Sequence, residues 1–243
     1  VNHDLNAARE IYHGELRHVA DVVRLTAERF FLREAMTSPE AADLADDETV
    51  ADELRLVMLR EGLDVLTLTD PSGQVLLRGG NVPRSRGSTA GDELVAAVLA
   101  GAKEVAGTAI VPTAELRQEA GDLFVQAHLE AVDTPMARPE GGGSELDGMM
   151  MKAAVPVRDA DGELLGVLYG GVLLNRNFKI VDRVKDTVYE NIQYEGRDIG
   201  TATIFQDDVR ISTNVLNADG TRALGSRASE DVYDVVVGRG EPF

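Results

Sequence analysis

Three times in this chain a short apolar run meets an Asx-x-(Asp/Ser)-Gly turn and is followed by a second run. Residues 63–69, Asp70-Pro71-Ser72-Gly73 and residues 74–78 form the first such unit. Residues 153–157, Asp159-Ala160-Asp161-Gly162 and residues 163–174 form the second, and residues 209–214, Asn217-Ala218-Asp219-Gly220 and residues 221–224 the third. An Asx side chain bonds the backbone two residues on, and glycine supplies the positive φ that closes the turn. Each unit therefore predicts a β-hairpin, and three hairpins commit the chain to antiparallel sheets. The second turn shares the opening of a calcium loop but lacks the bidentate Glu and the remaining ligands, so it reads as a plain turn.

Helices frame these hairpins. In the first 36 residues Tyr12, Leu16, Val19, Val23, Thr26 and Phe30 follow a 4-3-4-3-4 spacing, with charged residues on the other faces. A continuous helix of that length would reach about 54 Å at ~1.5 Å per residue. Two readings fit: one long packing helix, or a rod that pairs with a second copy of itself. Ser38-Pro39-Glu40 marks a second helix start, and Asp46-Asp47-Glu48 opens a third that carries Val50, Leu54, Val57 and Met58 on one face before Gly62 stops it. Further on, the pattern predicts a short helix over 92–100, strands over 104–111 and 123–132, and an exposed Pro/Gly-rich loop over 133–146. A helix over 177–190, a strand over 201–206 and a helix over 229–237 follow. The second series stops at Phe243, where more strands would be expected to close its sheet.

Composition removes several function classes. The chain of 243 residues is 44% hydrophobic, enough for a packed core, and carries a formal net charge of −18. Such a charge repels phosphate backbones, so no nucleic-acid partner is expected. With no cysteine there are no disulfides, thiolate metal sites or cysteine nucleophiles. No run approaches the ~18 apolar residues of a membrane span. The start at Val-Asn-His, with neither a basic nor an apolar leader region, reads as that of a processed or excised piece.

Enzyme signatures are near misses. His13-Gly14-Glu15-Leu16-Arg17-His18 resembles a zincin helix, but its histidines are five apart and sit about 140° apart around a helix. P-loop, nucleophile-elbow and dinucleotide fingerprints do not occur. His128 stands alone in a strand-like segment and reads as a core or edge histidine. The residues therefore predict no enzyme, no cofactor and no metal.

Two features point to a small-molecule site instead. From Pro71 to Gly91 the chain has no acidic residue but carries Arg78, Arg84 and Arg86, a positive island in an acidic protein. Arg78 ends a strand, Gly79-Gly80 permits close backbone approach, and a guanidinium there suits a carboxylate bidentately. The strands around the second hairpin supply a lining: Met149, Met151 and Ala153 share one face, and Tyr169 shares a face with Val167 and Gly171. Methionine adapts, tyrosine adds a hydrogen-bonding tip, and glycine leaves space. The candidate ligand residues are thus Arg78 as main cation, Arg86, Met149, Met151, Tyr169 and Gly171, and the expected ligand is a small organic acid.

The stretch GTATIFQDDVRISTNVLNADGTRALGSRASEDVYDVVVGRGEPF, residues 200–243, resembles the membrane-proximal module of the Cache sensor family. The stretch AAVPVRDADGELLGVLYGGVLLNRNFKIVD, residues 153–182, is similar to the end of a membrane-distal Cache module running into its linker helix. The resemblance is to the double-Cache extracytoplasmic part of chemotaxis receptors and sensor histidine kinases. It implies a mixed α/β fold, with a long N-terminal helix followed by PAS-like antiparallel modules, the second incomplete. It further implies segments 1–62 (signalling and short helices), 63–175 (distal module), 176–198 (linker helix) and 199–243 (partial proximal module). The implied function is ligand sensing in the periplasm by an inner-membrane receptor, with a chemotaxis transducer preferred over a kinase and a ligand-free dimerisation module as the alternative. The double-Cache amino-acid signature is missing from the distal part, so the ligand class is not carried over.

Overall fold

The computed structural model describes residues 2–37, 48–80, 92–139, 147–189, 193–194, 197–198 and 200–241. It divides into two compact units: a sheet unit of Gly14–Val125 with Met150–Leu173, and a C-terminal unit of Val1–His13, Gln126–Met149 and Leu174–Phe243.

Helix α1 (Asn2–Ala27) passes through Gly14 without interruption. The predicted rod does not run on to residue 36: the helix closes at Glu28 and Arg29, where the Arg29 N–H turns back to the Thr26 carbonyl, and α2 (Phe30–Thr37) starts afresh. At 26 residues α1 spans about 39 Å. The break rotates the stripe, so Phe30 lies exposed while Leu32 is buried. Val19, Val23 and Thr26 are buried within the sheet unit, so this half of the expected pairing stripe is already covered by the chain itself. No described helix is long and apolar enough to cross a membrane.

After α3 (Glu48–Glu61) come β1 (Val65–Thr69) and β2 (Val75–Arg78), then α4 (Glu93–Leu99), β3 (Val105–Val111), α5 (Thr113–Glu119) and α6 (Leu123–Ala127). The expected strand over 123–132 is therefore a helical turn followed by irregular chain. Strands β4 (Gly148–Arg158) and β5 (Leu164–Leu173) complete a five-stranded sheet of order β2-β1-β5-β4-β3. The β1–β2 and β4–β5 hairpins form as predicted. Asp70 Oδ1 accepts from the Ser72 and Gln74 N–H groups, and Asp159 Oδ1 from those of Asp161 and Glu163, all at 2.8–2.9 Å.

The register assigns the two faces. Thr67 pairs with both Arg78 and Tyr169, Tyr169 with Ala154, and Gly171 with Lys152. Thr67, Arg78, Tyr169, Gly171 and Lys152 therefore share one face. The opposite face carries Leu66, Leu68, Leu168 and Gly170 and packs on the helices: a Cβ on Gly170 would lie 3.0 Å from Val23 Cγ2 of α1, and one on Gly79 would lie 2.6 Å from Met58 Sδ of α3. These two glycines are what let the helices approach the sheet backbone.

In the C-terminal unit, α7 (Lys179–Tyr189) precedes the short pairs β6 (Gln193–Tyr194) with β7 (Arg197–Asp198), and β8 (Thr203–Gln206) with β9 (Val209–Thr213). Helix α8 (Glu230–Tyr233) widens over Asp234–Gly238. The third expected hairpin is reduced. Its turn is present, with Asp219 Oδ1 accepting from the Thr221 N–H at 2.9 Å, but only a single bridge, Leu216 to Arg222, links its arms. Strand β9 takes β8 as its partner instead. The fold class is the mixed α/β, antiparallel PAS-like arrangement expected.

Candidate ligand site

A cavity of about 470 Å³ in the sheet unit is bordered by the start of α4, strand β3, the start of α5 and Lys152 of β4. Lys152 is the residue that gives it chemistry. It stands on the polar face of a central strand with its side chain only 6% exposed, an environment a lysine tolerates only when paired. Its partner is Asp92, which is also the N-cap of α4: Asp92 Oδ1 accepts from the Leu94 and Val95 N–H groups at 3.1 Å, and Oδ2 meets Lys152 Nζ. One carboxylate thus closes a helix and neutralises a buried ammonium. Glu93 and Glu115 also border the cavity, so among the described residues its rim is acidic around a single cation.

Behind the ammonium lies a buried polar chain. Lys152 Nζ sits 4.4 Å from the centre of the Tyr169 ring, within range of a cation–π attraction. Tyr169 donates its hydroxyl to Glu119 Oε1 at 2.6 Å, Thr67 donates to Glu119 Oε2 at 2.6 Å, and Arg78 Nε lies 3.4 Å from the same oxygen. Burial, reinforced by the Glu119 charge, pushes the Tyr169 hydroxyl well above its ordinary value, so it remains a neutral donor. Gly80 lets the Glu119 carbonyl come up against the backbone after Arg78, as the Gly79-Gly80 pair suggested.

This geometry reorders the sequence-predicted residues. Tyr169 and Arg78 do come together on one face, but Arg78 is turned inward on Glu119 rather than offered to a ligand. Gly171 shares the face, yet the room it leaves is filled: a Cβ there would meet Met150 Sδ at 2.7 Å. Met151 pairs with Val172 and lies on the opposite face, buried, because a one-residue step along a strand reverses the side chain. Met149 belongs to the C-terminal unit, where its N–H donates to Asn175 Oδ1 at 2.8 Å. Arg86, with Arg84, lies outside the described residues. His128 follows α6 as an exposed residue, in neither a core nor a strand edge, and His18 Nε2 contacts the Glu61 carbonyl at 3.1 Å. Lys152, Asp92, Glu119 and Thr67 were missed, and the available signal was Lys152, a lone charge inside the apolar run GMMMKAAVPV.

Among known proteins, residues 172–243 match the family model described as single cache domain 3. No curated protein matches the chain. Of the solved structures it resembles, a domain of a sensory box/GGDEF family protein from Vibrio parahaemolyticus aligns at a TM-score of 0.53 with 12% identity, covering 98% of this chain and 80% of that one. The sensor domain of the Vibrio cholerae histidine kinase DctB aligns at 0.51 with 14% identity, covering 88% of this chain and 65% of that one. At these identities the two structures speak to the fold alone, and that shared fold runs over nearly the whole chain. The single cache domain 3 match thus covers the C-terminal part of the chain, and the fold shared with these solved structures extends over the rest.

Proposed function

We propose that the chain is the periplasmic ligand-sensing part of a transmembrane signal-transduction receptor, of the double-Cache kind and serving a chemotaxis transducer rather than a histidine kinase. The sheet unit is its distal binding module, and a small organic acid binds in the cavity at Lys152. One observation carries this reading: a buried ammonium faces a cavity of about 470 Å³, inside the size range of small-molecule sites. Lysine has three donors, so a ligand carboxylate either joins Asp92 at Nζ or displaces it.

The signal has a short route within the sheet unit. Tyr169, beside Lys152, and Gly170, against Val23 of α1, are consecutive residues of β5 facing opposite sides of the sheet. A ligand that draws Lys152 away from Asp92 alters the packing of Tyr169, and β5 passes that change to α1. A differential affinity of about 1–3 kcal/mol between two such arrangements is enough to bias them.

The acidic rim favours a second reading of the ligand. Among the described residues Asp92, Glu93 and Glu115 outnumber Lys152, which suits a molecule that carries an ammonium beside its carboxylate. A thermal-shift panel separates the two, with simple carboxylates, amino acids, amines and sugars each at millimolar concentration. A ligand at 100 times its Kd should add about 2.7 kcal/mol. Carboxylates should raise the melting midpoint of the parent and leave Lys152→Gln unmoved. A response confined to amino-bearing compounds would support the second ligand class, and carboxylate binding undiminished in Lys152→Gln would overturn the assignment.

A further inference from the structure

The C-terminal unit holds an opening of its own, of about 640 Å³, whose wall includes His128, Glu130, Arg176, Phe178 and Arg222. Arg176 is unusual in two respects. Its backbone is left-handed, at φ 57°, a conformation that costs a residue with a side chain of order 1 kcal/mol or more and persists only where its surroundings over-determine it. And in a chain of net charge −18 it has, among the described residues, no carboxylate within ion-pair reach.

The surroundings explain how the strain is held. The Arg176 N–H donates to the Ile211 carbonyl at 2.8 Å, and Ser212 Oγ donates to the Asn177 carbonyl at 2.6 Å. On the other side Asn175 is fully buried, and its Nδ2 donates to the Ala127 carbonyl at 3.1 Å while its own carbonyl accepts from Gln126 Nε2 at 2.9 Å. The turn 175–177 is therefore bolted both to β9 and to the segment that carries His128. Arg176 Nη2 then donates to the His128 carbonyl at 3.0 Å, which holds the guanidinium at the wall of the opening with no other partner among the described residues.

The neighbours set what such a guanidinium would hold. Arg222 is already engaged: it grips Asp182 through both nitrogens at 2.8 and 2.9 Å and lies 4.1 Å over the Phe178 ring, so it forms a rigid wall rather than a second anion anchor. Glu130 places an exposed carboxylate on the same opening, which repels a doubly charged anion and accepts hydrogen bonds from hydroxyls. We propose that this opening is a second binding site, independent of the cavity in the sheet unit, for a hydroxylated monocarboxylate of sugar-acid size. Its carboxylate takes the free edge of the Arg176 fork and its hydroxyls face Glu130 and His128.

The test is a titration of the whole 243-residue chain with D-gluconate, followed by two-dimensional amide NMR, with D-glucose and inorganic phosphate as controls. Saturable shifts are expected at the amides of residues 128–130, 176–178 and 221–224 with gluconate and not with glucose. Arg176→Gly should abolish them while holding or raising Tm, because glycine accepts φ 57° without strain. Arg176→Lys should weaken binding about tenfold, since an ammonium lacks the planar fork. No saturable shift at these amides, shifts retained in Arg176→Gly, or phosphate binding as tightly as gluconate would each overturn the proposal.

Discussion

Glu119 in the sheet unit and Asp208 in the C-terminal unit are both buried acids, and they are held in different ways. Glu119 accepts from two hydroxyls, those of Thr67 and Tyr169, and has Arg78 at 3.4 Å. Asp208 Oδ2 accepts from Arg227 Nε and Nη2 at 2.9 and 2.6 Å and from Arg138 Nε at 3.3 Å. Arg227 reaches further, to Asp133 Oδ1 at 2.8 Å and the Arg138 carbonyl at 3.0 Å, and Arg138 stacks 3.7 Å over Tyr233. The first acid is held mainly by neutral donors on the face of a sheet that also lines a cavity. The second is a clasp of guanidiniums that joins three separate stretches of chain. A clasp of that kind fixes structure, while hydroxyl donors beside a cavity leave a charge that a bound molecule can still rearrange.

Breaking the clasp should have the largest effect. Arg227→Ala leaves Asp208 buried with Arg138 alone and removes the side-chain ties from residue 227 to Asp208, Asp133 and the Arg138 carbonyl. Amide exchange in β9 and over 223–228 should accelerate on the order of a hundredfold, as expected when one partner of a buried pair is removed. Exchange in β1 and β5 should hold near its parent rate. Equal acceleration in both units would show that the clasp does not act on its own unit.

On the sheet side the loss should be smaller. Tyr169→Phe removes one donor from Glu119 and should cost about 1–3 kcal/mol, read from the denaturant midpoint. Glu119→Gln in the same chain should recover part of that cost, because a neutral amide tolerates the lost donor better than a carboxylate does. A double variant as unstable as the sum of the two singles would mean that Tyr169 and Glu119 do not interact.

How far the sequence reached differs between the same two regions. The hairpins of the sheet unit were legible because their turns are local: Asp70 and Asp159 form their own hydrogen bonds within four residues. The third hairpin misled because the same local signal at Asn217–Gly220 makes a turn without obliging its arms to pair, and the competing partner, β8, lay upstream. The site was half legible. Tyr169 was found from strand alternation, whereas Met151 was placed beside it because alternation within a strand does not give the register between strands. Arg78 was correctly seen as a guanidinium with close backbone around it, but Glu119 lies 41 positions downstream in the chain and only the tertiary fold brings it to Arg78. The Asp208 clasp depends on residues 133, 138, 208 and 227, and no periodicity connects them.

The mildest difference should appear in pH dependence. Burial raises the Asp64 carboxyl above its ordinary value of 3.8, with Asp122 adding repulsion, against the lowering from the Leu173 N–H that Asp64 Oδ2 accepts at 2.7 Å. A raised folded-state pKa contributes stability that is complete below 3.8 and declines as pH rises through the raised value. Asp208 has the opposite sign. Burial works to raise it, but the hydrogen bonds from Arg227 and Arg138 outweigh burial and hold it low, so its contribution is complete above 3.8 and is lost as pH falls through the folded value. Acidification to pH 3.8 should therefore relieve the sheet unit at Asp64, and acidification below pH 3.8 should weaken the C-terminal unit at Asp208. Asp64→Asn, whose amide oxygen still accepts from Leu173, should equal or slightly exceed the parent in stability at pH 7, and that advantage should vanish below pH 3.8. A variant less stable than the parent by the same amount at every pH would show that Asp64 acts through its hydrogen bond alone and that its charge carries no penalty.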